Sequence, residues 1–127
     1  MNIIKQKELS LIKECSDFHL ELVKREENYV TYHLEIQYVT IIDLYENYNV
    51  ITVPLLILTD PSKKEKVLSL LNEYNKTNIH TLYLFNEVIV LRVNSVTDIT
   101  KESLVYLNFD IMIGNISDWC KRIEDVI

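Results

Sequence analysis

The stretch from Asp60 to Val93, DPSKKEKVLSLLNEYNKTNIHTLYLFNEVIVLRV, decides the fold. Val67, Leu70, Leu71 and Tyr74 stand at i, i+3, i+4 and i+7, so they share one stripe of a helix. Lys64, Glu65, Ser69, Glu73 and Lys76 fall on the opposite, water-facing side. The helix start is written twice: Asp60 caps it with Pro61 at the first helical position, or Ser62 caps it with Glu65 as a capping box. After Asn78 the period changes to that of strands, with β-branched and aromatic residues over Ile79–Phe85 and again over Val88–Val93. Asn86 and Glu87 are left as the turn. A two-residue turn is the first reading; Asn is acceptable at positive φ there and Glu is not favoured, which leaves a longer or irregular turn as the alternative.

Outward from this centre, Ile4 to Asp17 reads as a first helix with Ile4, Leu9, Ile12 and Cys15 or Leu11 as its apolar stripe. Phe18 to Val23 is either a short strand or the descent from that helix, and Lys24 to Asn28 is a charged turn. From Val30 the alternation is clear, with Val30, Tyr32, Leu34, Ile36 and Tyr38 on one side and Thr31, His33, Glu35 and Gln37 on the other. Two more strands follow, about Thr40 to Glu46 and Val50 to Leu58. Pro54 removes a ladder donor from the latter and calls for an edge position or a bulge. In Thr100 to Ile127, the residues Val105, Phe109, Met112, Ile116, Trp119, Ile123 and Val126 alternate spacings of four and three, the seam of a last helix. Gly114 marks a kink or helix end, after which Ser117 can cap a second segment. The seam serves either packing on the sheet or contact with a second copy.

The expected architecture is therefore α+β, in the order α-β-β-β-α-β-β-α, with an antiparallel sheet of about five strands flanked by helices. At 127 residues and 15.0 kDa, with no Gly-, Pro- or Ser-rich linker, the chain is expected to form one domain over 1–127. It is 48% hydrophobic and 25% charged, a composition that excludes disorder. Lys5, Lys7 and Glu8 interrupt the N-terminus, and no window is apolar for the ~18 residues that a span needs, so no membrane association and a cytoplasmic location are expected.

A net charge of −6 and a pI near 5.0 argue against nucleic acid and suit a basic protein partner. The single glycine cannot build a phosphate-binding loop or a nucleophile elbow. Cys15 and His19 are spaced for one helical face, but no further ligand accompanies them, so no metal is expected. Glu26 with Glu27, and Asp43 with Glu46, are the closest carboxylate pairs, but a charged turn in open water provides no environment that separates two pKa values for acid–base work. No catalytic residue and no cofactor are therefore expected. Tyrosine, eight times in the chain, supplies large area with a polar tip, suited to a half-buried contact surface. Tyr29, Tyr32 and Tyr38, with Tyr45 and Tyr48 near the next turn, are candidates for such a surface, as are Phe109, Met112, Ile116 and Trp119 on the last helix. The alternative is cross-strand packing beneath the helices.

The apolar run VITVPLLIL, LLNEYN closing the middle helix, the hairpin LYLFNEVIVLRV and TKESLVYL opening the last helix together resemble the YbjN-like family, from about Val30 to Trp119. Leu71, Asn72, Asn75 and Arg92 carry the likeness. These are small bacterial proteins whose fold is similar to that of class I type III secretion chaperones. The resemblance implies a helix-flanked sheet, often paired as a dimer, without enzymatic residues. The family is labelled as sensory transduction regulators, and its structural relatives bind extended segments of secreted proteins. A non-enzymatic, chaperone-like or regulatory protein-binding module, working as a homodimer, is the expected function. The competing expectation is an acidic immunity or antitoxin protein that neutralises a basic partner.

Overall fold

The computed structural model describes residues 2–35, 39–78, 80–95 and 116–127. The elements run α1 (Ile3–Glu14), β1 (His19–Arg25), β2 (Tyr29–Glu35), β3 (Val39–Tyr45), β4 (Asn49–Ile57), α2 (Lys64–Thr77), β5 (Thr81–Phe85) and β6 (Val88–Ser95), and the chain is helical again over 116–124. The strands form one six-stranded antiparallel sheet in the order β1-β2-β3-β4-β6-β5. The expected α+β class is observed, with six strands in place of about five. The added strand is β1, the segment that reads equally well as strand or descent. Its alternation is short because a bulge between Leu22 and Lys24 breaks the register after Leu20↔Leu34 and Leu22↔Tyr32. Its outer edge also faces water, so polar residues are tolerated at nearly every position.

One side of the sheet carries the main hydrophobic cluster, while Val50 of β4 and Val90 of β6 are buried on the other. Val30, Tyr32 and Leu34 of β2, Ile42 and Leu44 of β3, Ile51 and Val53 of β4, and Ile89, Leu91 and Val93 of β6 are buried on the first side. They meet Leu11 of α1 and Cys15 at its C-cap, Val67, Leu71 and Tyr74 of α2, and Ile116, Cys120 and Ile123 of the C-terminal helical segment in one cluster. All described helices therefore lie on the same side. None of them is long and apolar enough to cross a membrane.

The central stretch folds as its sequence dictates. Asp60 is the cap, accepting from the Ser62 amide at 3.0 Å and the Ser62 hydroxyl at 2.8 Å, with Pro61 opening a 3-10 turn over Pro61–Lys63 that leads into α2. The turn between β5 and β6 is the two-residue one at Asn86 and Glu87, not the longer alternative, with Asn86 at φ 46° and Glu87 at φ 68° although Glu is disfavoured there. Both lie in the left-handed region, as a hairpin matched to strand twist requires, and the Glu87 carbonyl accepts from the Leu58 amide at 2.7 Å. Pro54 sits where the described β3 pairing has already ended, at Thr52, and beside a bulge between Pro54 and Leu56. Its missing donor is thus harmless.

Two expectations on helices change. The buried side of α1 is Lys7, Glu8, Leu11 and Cys15 with Ile4 half-buried, while Leu9 and Ile12 are 50% and 49% exposed. A count of apolar residues misplaces this stripe because two of its positions are charged. Ser117 lies inside the 116–124 helix, so it does not cap a segment. The glycine position, 114, lies outside the described residues.

Candidate functional site

The strand directions bring the β1–β2 and β3–β4 turns to the same end of the sheet, and tyrosines converge there. Tyr29 and Tyr45 face each other across β2 and β3, on the side away from the helices, with ring centroids 5.1 Å apart and planes 29° apart. Tyr48 stacks on Tyr45 at 4.5 Å and 12°, completing a terrace of three rings. Alternation explains the placement: Tyr29 and Tyr45 are register partners in phase with Thr31 and Asp43, and out of phase with the core residues Val30 and Leu44.

The terrace carries a cation and is rimmed by carboxylates. The Lys24 ammonium lies 5.5 Å from the Tyr29 ring centroid and 3.5 Å from Glu26 Oε1. Its hydrogen bond to Tyr29 raises its pKa further above the neutral range. Asp43, next along the face, accepts from the Thr31 hydroxyl at 2.5 Å. Burial, and then the Asp43 charge, push the Tyr45 hydroxyl above its ordinary pKa. Glu26 and Glu27 stand exposed in one turn and Glu46 in the other.

Beneath the rings, on the core side, two buried charges of α1 hold this end of the sheet. Lys7 Nζ donates to the Tyr45 carbonyl at 2.6 Å, the Tyr48 carbonyl at 3.4 Å and Asn49 Oδ1 at 3.0 Å, which clamps the β3–β4 turn from below. Glu8, 2% exposed, accepts both guanidinium nitrogens of Arg25 at 3.0 and 2.7 Å and the Tyr32 hydroxyl at 2.7 Å. The Arg25 hydrogen bonds hold the Glu8 carboxyl below its usual pKa against the opposing effect of burial. Burial and the Glu8 hydrogen bond push the Tyr32 hydroxyl up to about 12. No buried side-chain N or O atom lacks a partner among the described residues.

The expected tyrosine surface is therefore divided. Tyr29 joins Tyr45 and Tyr48, but Tyr32 is 5% exposed on the opposite side, because residues of opposite parity along a strand cannot share a face. Ile116 is a core residue, and Trp119 is half-buried, edge-on to Tyr74 at 5.4 Å with the Arg122 guanidinium 4.0 Å above it. In this part of the last helix, packing accounts for the apolar seam. Tyr38, Phe109 and Met112 lie outside the described residues. No protein-family model matches the chain, and neither does any curated protein.

Other chemistry-bearing residues stay apart. Among the described residues, no three His, Cys, Asp or Glu side chains come together in a manner that would hold a metal ion. A groove of about 660 Å³ between the start of α2 and the β5–β6 turn is lined by Leu58, Pro61, Lys64, Leu68, Leu84 and the turn residues, with Lys64 and Glu87 as its charged members. Cys15 is buried, and that burial raises its thiol pKa to about 11, the reverse of an activated nucleophile. His80 is half-buried, which disfavours its charged form. Sequence reasoning missed Lys7, Glu8, Arg25 and Asn49. The available signal was phase: Lys7 and Glu8 fall three and four residues after Ile4, and Leu11 and Cys15 continue that stripe.

Proposed function

We propose that this chain is a non-enzymatic protein-binding module, chaperone-like or regulatory, of the YbjN-like kind with a type III secretion chaperone-like fold, and that it works as a homodimer in the cytoplasm. The observation that carries the proposal is the distribution of layers. The described helices all cover one side of the sheet, while the other side presents stacked tyrosines held in place from beneath, Tyr29 and Tyr45 half-buried and Tyr48 exposed. Such a surface offers area at little conformational cost and suits a polypeptide contact. The dimer rests on the family resemblance, and the exposed apolar side chains Leu9 and Ile12 of α1 and Leu22 and Val23 of the edge strand β1 are available to it.

A photo-crosslinking amino acid at Tyr48, used in the source organism, tests the module. A discrete crosslinked protein is expected from position 48 and none from Lys76 on the outer side of α2. Equal yields at both positions, or none at either, would remove the support. Sedimentation over a wide concentration range tests the dimer, which a persistent monomer would exclude. The second reading, an acidic immunity-type protein, gains from one observation: the carboxylates of Glu26, Glu27, Asp43 and Glu46 gather at the tyrosine end. A toxin gene beside this one would favour it.

A further inference from the structure

We infer that the tyrosine terrace is the docking site for a lysine-rich segment of a protein partner. This rests on the protein-binding reading and gives it a surface and a partner chemistry.

Lys24 shows what the terrace accepts. Its ammonium sits 5.5 Å from the Tyr29 ring centroid, with Glu26 at 3.5 Å supplying the counter-charge. A ring face beside a carboxylate is a seat for an alkylammonium, since the negative π face and the carboxylate attract the same charge. Tyr45 is sandwiched between Tyr29 and Tyr48, so the ring face left open for a second ammonium is that of Tyr48. Tyr45 and Tyr48 continue the stack, Asp43 lies close enough to Tyr45 to perturb its hydroxyl, and Glu46 stands between Tyr45 and Tyr48 in sequence. The chain as a whole carries −6, so the long-range field draws a cationic segment toward it. The site is also built: Lys7 donates to the carbonyls of Tyr45 and Tyr48 from the core side, fixing the backbone that bears two of the three rings.

Lys24 is then an internal competitor, and removing it has a sign opposite to that of most substitutions. An oligolysine peptide, titrated into the intact protein and followed by amide chemical shifts, is the probe. Shifts are expected to concentrate at Tyr29, Asp43, Tyr45 and Tyr48. Tyr45→Leu with Tyr48→Leu should weaken binding roughly tenfold, and Glu26→Gln with Glu46→Gln, whose side chains are exposed, should weaken it without touching the fold. Lys24→Gln should strengthen it, and by more than Lys63→Gln, which removes the same charge from the start of α2. Fully acetylated oligolysine should not bind. Oligolysine shifts centred elsewhere, or equal gains from the Lys24 and Lys63 variants, would overturn the inference while leaving the module standing. Absence of oligolysine binding would overturn it as well. Loss of the Tyr48-specific crosslink described above would instead bring down the module itself.

Discussion

Glu8 stays charged in an almost fully buried position because three donors converge on it, and this makes it the side chain whose loss should be felt most. Its pKa in the folded protein lies below the ordinary value of 4.5, chiefly through Arg25. The stabilisation is therefore complete above about pH 4.5 and is lost as the pH falls through the folded-state pKa, where the native protein must also take up the proton. Glu8→Gln should lower stability at pH 7 by about 2 kcal/mol and flatten the acid limb of a stability-against-pH curve from urea unfolding. A variant whose acid limb superimposes on that of the unaltered protein would show that the clasp contributes nothing. At Glu87 the backbone φ of 68° is one that residues with a Cβ resist and glycine accepts. Glu87→Gly should therefore raise stability by about 1 kcal/mol, visible as a Tm higher by a few degrees. The turn was half legible: Asn86 signalled it, and Glu87 argued against the very geometry that the hairpin imposes. The charged stripe of α1 was hidden for a different reason. Hydrophobic periodicity is blind to a lysine and a glutamate that are buried with their partners.

Among the elements, α2 was legible in its buried stripe and its water-facing side, while its start was not, since Asp60 and Ser62 both read as caps and only the fold chooses Asp60, ahead of a 3-10 turn. β1 was not, since a bulged edge strand carries little pattern. The opposite edge, β5, shows how the fold ends a sheet. Phe85↔Val88 flanks a two-residue turn, so Phe85, Tyr83 and Thr81 exchange hydrogen bonds with β6, and Leu82 turns its amide and carbonyl outward. The Asn75 carboxamide meets both, donating to the Leu82 carbonyl at 2.9 Å and accepting from the Leu82 amide at 2.8 Å, as a neighbouring strand would. TLYLF contains no charge, proline or bulge to guard that edge. Asn75→Ala should cost about 1–2 kcal/mol in urea unfolding and should raise light scattering on concentration as β5 becomes available for pairing. Unchanged stability and scattering would show the bridge to be incidental. Asn75 was already singled out by the family resemblance, but the sequence offers no physical hint of its task, since the Leu82 backbone is brought to it only by the fold.

At the scale of the whole molecule, the described residues build one large cluster between a side of the sheet and the helices packed on it. Cys15 at the C-cap of α1 and Cys120 on the C-terminal helical segment are both buried in that cluster, far apart in sequence. In a disulfide exchange assay at pH 8 the native protein should react slowly at both positions, as the raised thiol pKa of Cys15 also requires. With increasing urea, both rates should rise together with global unfolding. Earlier labelling of Cys15 would show that α1 undocks by itself, in which case the ammonium of Lys7 would leave the β3–β4 turn with it. The layered α+β class was legible because strand alternation and the α2 stripe are strong signals. The tyrosine end was legible only as a collection of residues, since parity alone decides which rings share a side, and the Lys7 support is invisible without the fold. That support has a thermodynamic consequence. The rotational freedom of the terrace is surrendered when the chain folds, so a ligand arriving there meets rings already in place, and its association rate should be governed by diffusion and ionic strength more than by any rearrangement of the receptor.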